Sequence, residues 1–189
     1  ENLTSNTAYK VYALPVDVDG FNGEVKTVEI TTIALVPTVV ISEVNAATKS
    51  ATATFTPNAD CVEYYFVITT ETVDAAYVKA NGEVKTEAHT ATFENLISNT
   101  AYTVYVLPID VEGTEGALVT TAVNTLAFVP QVDMTKGKVA AKSITVTFTP
   151  NTDCVEYSYL IAAATETVDA EYIKANGVQQ TGTFTTTFE

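Results

Sequence analysis

Apolar and polar residues alternate along most of the chain, in short segments that end in turn residues. The alternation is clearest in residues 50–57 (SATATFTP) and 101–111 (AYTVYVLPIDV), which are rich in β-branched and aromatic residues. A period of two places successive side chains on opposite faces of a β-strand. Such segments recur about every ten residues, which predicts an all-β fold built as antiparallel β-sandwiches.

One segment departs from this pattern. In residues 72–82 (TVDAAYVKANG) the apolar side chains recur at helical spacing instead. Thr72 is predicted to cap the start of a short helix, and Asn81-Gly82 is predicted to end it in a left-handed conformation. The sequence therefore predicts one short helix within each sandwich.

The chain repeats itself with a domain-sized period. Residues 54–64 return as residues 147–157, 93 positions later, and residues 71–82 return as residues 166–177, 95 positions later. The change of spacing places a two-residue insertion near residues 162–165. A period near 94 is longer than the 20–50 residues of solenoid units, so each repeat is expected to have its own core.

The repeat also predicts which side chains of one strand face the core. In residues 62–70 (VEYYFVITT) the second copy has Ser158 where the first has Tyr65. Tyr65 is therefore expected to face solvent. Its neighbours Tyr64, Phe66 and Ile68 are expected to face the core.

A local motif resembles a known family. Leu96 lies six positions before Tyr102 in LISNTAY, and Leu3 lies six positions before Tyr9 in LTSNTAY. This resembles the tyrosine corner of fibronectin type III domains, usually Leu-x-Pro-Gly-Thr-x-Tyr. The resemblance implies that the tyrosine hydroxyl bonds to the backbone across the connection between strands E and F.

The resemblance covers the whole period and implies strands A near Val36, B near Ser50, C near Val62, E near Thr90, F from Ala101 and G from Ala117. Two features depart from the family. Phe55 and Phe148 occupy the place of its usual strand B tryptophan, and the helix after strand C is an insertion. A general immunoglobulin-like sandwich remains the alternative. The threonine-rich, acidic repeats also resemble surface proteins of gut-type bacteria, which implies an extracellular or bacterial cell-surface location.

These strands divide the chain into three parts. Residues 1–35 contain strands F and G of one sandwich, residues 36–127 a complete sandwich, and residues 128–189 strands A, B, C, the helix and strand E of a third. A lone hairpin is marginally stable, and a sandwich without strand F exposes an apolar face. We expect a neighbouring repeat or chain to complete both. Either the polypeptide is a long tandem array, or short chains join head to tail by donating strands; in both cases the expected partners are further copies.

The charge and hydropathy exclude other partners. Twenty-three acidic residues against nine basic ones give a net charge of −14, which repels nucleic acid. No apolar run approaches the roughly 18 residues of a membrane span. We therefore expect neither a nucleic-acid partner nor a membrane-spanning segment.

Acidic residues in two predicted loops raise one metal hypothesis. The B–C and F–G loops of this fold lie at the pole that faces the preceding domain. Calcium prefers six to eight oxygen ligands. The candidate ligands are Asp17, Asp19, Asp110, Glu112, Asp60 and Asp153. The competing interpretation is a solvated acidic turn and no cofactor.

The cysteines and the single histidine suggest no catalysis. Cys61 and Cys154 fall in different repeats, so each is expected to be a small, partly buried thiol, with an intermolecular or interface thiol as the alternative. His89 has Phe184 as its counterpart, which excludes a histidine site shared by the repeats. No nucleophile elbow, phosphate loop or Cys-x-x-Cys is present. We expect no enzyme activity.

The sequence thus predicts a structural repeat of an extracellular filament or cell-surface stalk. The alternative is an adhesin or an accessory binding module of a carbohydrate-active enzyme, which would contact a host or matrix ligand through its loops or through Tyr65.

Overall fold

The computed structural model describes residues 3–189; Glu1 and Asn2 of the predicted first part lie outside the described residues. The chain divides into two compact units, one ending at Leu126 and the other beginning at Ala127. The first unit includes both the predicted N-terminal part and the predicted complete sandwich. The division into three parts stays a prediction.

The first unit begins with a two-stranded hairpin. Strand β1 (Ala8–Ala13) pairs antiparallel with β2 (Lys26–Thr31), so that Ala8 faces Thr31 and Ala13 faces Lys26. We call residues 3–33 the N-terminal hairpin. Among the described residues, β1 and β2 form a sheet by themselves.

The rest of the first unit is a sandwich of two antiparallel sheets. Its elements are β3 (Val39–Ala46), β4 (Ala51–Pro57), β5 (Glu63–Thr69), α1 (Ala75–Asn81), β6 (Glu83–Lys85), β7 (His89–Phe93), β8 (Ala101–Ile109) and β9 (Val119–Asn124). One sheet has the order β3-β4-β7 and the other β6-β5-β8-β9. These correspond to strands A-B-E and C′-C-F-G of a fibronectin type III-like sandwich. The predicted fold class is confirmed, and we call residues 36–126 the central sandwich.

Aromatic side chains fill the space between the two sheets. The Phe55 and Phe66 rings stack with centroids 4.6 Å apart, and the Tyr64 ring lies 5.8 Å from Phe55. All three side chains are buried. Phe55 therefore occupies the centre of the core, where the resemblance places a tryptophan.

A second apolar cluster lies on the outer face of the same four-stranded sheet. Val78 of α1 is buried against Tyr105, Leu107 and Ile109 of β8. Tyr65 is partly buried in this cluster, so the expectation that it faces solvent is wrong. The helix covers the face on which Tyr65 lies. Consequently β8 is buried on both faces.

The helix begins and ends differently from the prediction. Asp74, not Thr72, is the N-cap, and its Oδ1 accepts a hydrogen bond of 2.9 Å from the Tyr77 N–H. Gly82 follows the helix with φ −77°, which is extended rather than left-handed. Its small size matters because a Cβ there would lie 2.5 Å from the Val78 carbonyl oxygen.

The tyrosine corner is present in the central sandwich. The Tyr102 hydroxyl accepts a hydrogen bond of 3.0 Å from the Ile97 N–H, and Leu96 packs against the core. In the N-terminal hairpin the Tyr9 hydroxyl accepts one of 2.8 Å from the Thr4 N–H. Leu3, the counterpart of Leu96, is exposed.

The second unit repeats the first part of the central sandwich. Its elements are β10 (Val132–Val139), β11 (Ile144–Pro150), β12 (Tyr157–Tyr159), α2 (Ala170–Asn176), β13 (Val178–Gln180) and β14 (Phe184–Phe188). The sheets are β10-β11-β14 and β12-β13. Strands A, B, E, C and C′ are thus present between Ala127 and Glu189, and we call these residues the open sandwich. Neither α1 nor α2, the helices within residues 3–189, is long and apolar enough to cross a membrane.

Candidate functional site: two complementary open surfaces

The N-terminal hairpin exposes side chains whose counterparts are core residues of the central sandwich. Val11 is 53% exposed, whereas Val104, 93 positions later, is fully buried. The exposed side chains lie on both faces of β1, because β8, its counterpart in the central sandwich, is buried on both faces. The exposed hairpin residues with buried counterparts are Val11, Tyr12, Leu14, Val16 and Ile30.

The open sandwich exposes the opposite side of the same core. A groove of about 410 Å³ is lined by Tyr159 and Leu160 together with Val168 and Ile173 of the α2 region. Ile173 is only partly buried there, whereas its counterpart Val78 is fully buried. The groove therefore lies where strand β8 runs in the central sandwich.

Aromatic residues form the floor of this groove. Phe148 is buried, and its ring centroid lies 4.9 Å from Tyr159 and 5.7 Å from Tyr157. This arrangement repeats the Phe55, Phe66 and Tyr64 cluster of the central sandwich. These aromatic residues are therefore packed together in the open sandwich without a counterpart of strand β8 to cover them.

The edge of the open sandwich is also unpaired. In the central sandwich β5 pairs with β8 over the seven positions from Glu63–Ile109 to Thr69–Thr103. Within residues 127–189, β12 pairs with β13 alone and spans only three residues. Its free edge can accept a further strand.

A side-chain contact joins the N-terminal hairpin to the central sandwich. The Glu112 carboxylate accepts hydrogen bonds from the Ser5 N–H at 2.7 Å and from the Ser5 hydroxyl at 2.6 Å. Ser5 lies in the turn before strand F of one repeat, and Glu112 lies in the F–G turn of the next. We call this contact the Ser–acid clamp.

Asp110 shapes the turn that carries Glu112. Its Oδ1 accepts hydrogen bonds from the N–H groups of Glu112 at 2.9 Å and of Thr114 at 2.8 Å. The hairpin turn is built alike, because Asp17 Oδ1 accepts from Asp19 at 3.0 Å and from Phe21 at 2.9 Å. These aspartates therefore hold acidic side chains at the tips of both turns.

The other two candidate calcium ligands bind the inter-repeat linkers. Asp60 Oδ2 accepts from the Val36 N–H at 3.1 Å, and Asp153 Oδ2 accepts from the Val129 N–H at 3.0 Å. Within residues 3–189, no three Asp, Glu, His or Cys side chains come together as a metal site. The structure thus shows four of the candidate ligands accepting backbone hydrogen bonds, namely Asp17, Asp60, Asp110 and Asp153, and calcium binding stays a hypothesis beside the solvated acidic turn.

Both cysteines are free thiols in different environments. Cys61 is buried, and this burial raises the pKa of its thiol; its Sγ donates to the Glu63 carbonyl at 3.2 Å. Cys154 donates to the Glu156 carbonyl at 3.3 Å but is only partly buried. The intermolecular or interface role of these thiols stays a prediction.

Sequence reasoning missed the clamp and the second apolar cluster. The signal for the clamp was present, because Ser5 recurs as Ser98 and an acid occurs at both Asp19 and Glu112. The signal for the cluster was the absence of polar alternation in residues 104–109.

Comparisons with solved structures give two partial similarities. The chitinase ChiA74 from Bacillus thuringiensis is 17% identical, with a TM-score of 0.33, over 57% of this chain and 16% of the chitinase. The central fibronectin-III array of RIM-binding protein is 18% identical, with a TM-score of 0.32, over 78% of this chain and 57% of the array. The chain thus spans less than two thirds of either. No protein-family model and no curated protein matches it.

Proposed function

We propose that this chain is a structural repeat of an extracellular filament or cell-surface stalk. In this proposal, strands from a neighbouring repeat or chain complete the N-terminal hairpin and the open sandwich. The observation that carries the proposal is the pair of complementary open surfaces. The hairpin exposes side chains whose counterparts are buried in the central sandwich. The open sandwich exposes a groove at the place that β8 fills in the central sandwich.

Burial of the hairpin supplies a sizeable driving force. A fully buried aliphatic or aromatic side chain contributes about 1.5–3 kcal/mol. Five hairpin side chains are roughly half exposed, so completing their burial contributes about 1 kcal/mol each, or about 5 kcal/mol in total. Free chains lose about 4–15 kcal/mol of motional freedom on association. Hairpin burial alone does not exceed this loss, so association of separate chains also requires burial of the groove side chains, whereas linked repeats avoid most of the loss.

Side-chain hydrogen bonds fix the linkers that precede the central and open sandwiches. Asn58 accepts from the Thr38 N–H at 3.0 Å and donates to the Val36 carbonyl at 2.8 Å. In the second unit Asn151 makes the same pair of hydrogen bonds, to Gln131 and Val129, at 3.0 and 2.8 Å. Together with the aspartate contacts, these bonds hold each linker against the sandwich that follows it. A repeat with fixed linkers suits a filament or stalk better than a flexible tether.

The proposal assigns the chain no catalytic role and no cofactor. The net charge of −14 favours solubility outside the contact surfaces and mutual repulsion between side-by-side filaments. The proposal includes an extracellular or cell-surface location. It also includes further copies of the chain as the partners.

Imaging and a denaturing gel of the native material test this function. We expect electron micrographs to show fibres with an axial period of one sandwich. A gel band near 20.2 kDa would support short chains that join head to tail, and a far larger band would support a tandem array. Native material that consists of compact single particles would overturn the proposal.

One observation favours a binding module as the second candidate. Tyr77 and Tyr172 occupy the same helix position in the two repeats, and both are exposed, at 40% and 49%. An exposed tyrosine ring offers a flat apolar face with a polar tip for a ligand such as a sugar ring. Glycan-array binding by the wild-type chain that is lost in Tyr77→Ala/Tyr172→Ala would support this candidate. Absence of binding in the wild type would remove it.

A further inference from the structure

The N-terminal hairpin is fastened to the central sandwich at two places. The Ser–acid clamp bonds the turn before β1 to the turn between β8 and β9, and Asp60 bonds the backbone that follows β2. We propose that Ala34 and Leu35 form a hinge between these two repeats, and that the Ser–acid clamp locks this hinge in one orientation. The lock operates within one chain, and only its mechanical role, the stiffness of a stalk, rests on the proposed function.

Hydrogen bonds define the limits of the hinge. On the hairpin side, the Ile33 carbonyl accepts from the Asn6 N–H at 3.3 Å. On the sandwich side, the Val36 N–H donates to Asp60 Oδ2 at 3.1 Å. Within residues 3–189, the two hinge residues between these points make no hydrogen bond. The backbone is therefore held on either side of the hinge and not within it.

The base of the hairpin is rigid between the hinge and the clamp. The Thr32 hydroxyl donates to the Thr4 carbonyl at 2.7 Å and accepts from the Thr7 N–H at 2.9 Å. These bonds fasten the turn that contains Ser5 to the end of β2. Thr125 makes the same pair of bonds in the central sandwich, so the arrangement belongs to the repeat. A contact that fixes Ser5 therefore fixes the base of the whole hairpin.

The turn that carries Glu112 is rigid as well. The Glu112 N–H donates to Asp110 Oδ1 at 2.9 Å. Gly116, at the end of the turn, lies directly against the linker, because a Cβ there would be 2.2 Å from the Pro37 carbonyl oxygen. Glu112 therefore has a defined position relative to the linker. The clamp joins two rigid parts on opposite sides of the hinge.

This arrangement closes a short ring that contains the hinge. Each hinge residue has two soft backbone dihedral angles, so a hairpin held by the linker alone could still turn. A second attachment away from the hinge removes that freedom. Both carboxylate oxygens of Glu112 accept from Ser5, at 2.7 and 2.6 Å, so the clamp restricts direction as well as distance. Hydrogen bonds to a charged acceptor are stronger than neutral ones, which suits the clamp to select one orientation.

Double electron–electron resonance of the full chain tests the lock. Spin labels are attached through Val18→Cys and Glu87→Cys at two exposed positions, with both native cysteines replaced by alanine and the labelled chain diluted in unlabelled chain. We expect a single narrow distance distribution. Glu112→Ala should broaden it and raise the unclamped population about tenfold. The matched control is Glu115→Ala in the same turn, because Glu115 bonds Lys79 at 2.8 Å and not the hairpin; the distribution should stay narrow.

A double-mutant cycle identifies the contact. Ser5→Ala removes one of the two donors and should broaden the distribution less than Glu112→Ala, and adding it to Glu112→Ala should have little further effect. A wild-type distribution as broad as that of Glu112→Ala would overturn the lock, as would equal broadening by Glu112→Ala and Glu115→Ala. Either result leaves the proposed function standing if the native material forms fibres. Compact single particles with a narrow distribution that depends on Glu112 would overturn the proposed function and support the lock.

Discussion

Val11→Asp is the substitution that most directly probes the completion of the open surfaces. Val11 is about half exposed in the N-terminal hairpin, and its counterpart Val104 is fully buried between the sheets. The substitution should therefore leave the free hairpin almost unaffected. It should penalise only the state in which the hairpin completes another sandwich.

The magnitude follows from two terms. Loss of the remaining valine burial costs about 1 kcal/mol. A buried, unpaired aspartate would bind in its neutral form, and neutralising it at pH 7 costs about 4 kcal/mol, since its ordinary pKa is about 3.9 and each pH unit is worth about 1.4 kcal/mol. The sum of about 5 kcal/mol raises the dissociation constant by about three to four orders of magnitude.

Sedimentation equilibrium of the full chain gives the dissociation constant. The matched control is Val18→Asp, because Val18 is fully exposed and its counterpart Val111 remains exposed in the central sandwich. The bound aspartate has a raised pKa, so lowering the pH from 7 to 5 should reduce the defect of Val11→Asp relative to this control. Equal constants for the two variants at both pH values would refute completion through a buried core.

Four further predictions follow from the same structure. A thiol reagent should modify Cys154 quickly and Cys61 slowly, because burial raises the Cys61 pKa and restricts access; raising the protein concentration should slow Cys154 alone, and equal rates would contradict the structure. Tyr102→Phe should lower the unfolding free energy by about 1–3 kcal/mol in urea, because the Ile97 N–H loses its acceptor; an unchanged midpoint would show that the tyrosine corner is dispensable. Burial raises the pKa of Tyr64 to about 12, above its value near 10 in the unfolded chain, so its contribution to stability is complete below pH 10 and is lost between pH 10 and 12; Tyr64→Phe should lose less stability over that range. Millimolar calcium should leave the thermal midpoint unchanged relative to EDTA, and a rise of several degrees would support a calcium site.

Alternation and repetition in the sequence were sufficient to predict strands A, B, C, E, F and G and their order, but not the short strands β6 and β13 that follow the two helices. Tyr102 was assigned to a corner because LISNTAY resembles the family motif, and such a motif is recognisable because the contact is local, only five residues from Ile97. Phe55 was assigned to the core because the resemblance places it where the family has its strand B tryptophan. These predictions rest on interactions that a short window of sequence contains.

The features that were missed depend on distant parts of the chain. Tyr65 was expected in solvent because its counterpart is Ser158, but α1 covers that face of the sheet. A short stretch of sequence predicts the helix but does not predict the sheet face against which the helix packs. The Ser5–Glu112 clamp joins residues that are 107 positions apart. It could therefore be identified only from the structure of two adjacent repeats.

The repeat itself explains why the two open surfaces match. The hairpin and the open sandwich are copies of the two parts that pack together in the central sandwich, so their complementarity is that of a domain core and not of a separately evolved interface. The match is not perfect, because Ala13 is smaller than Val106 by two methyl groups and Tyr159 is larger than Phe66 by a hydroxyl alone, so this pair would pack less tightly in a completed sandwich than Val106 and Phe66 do.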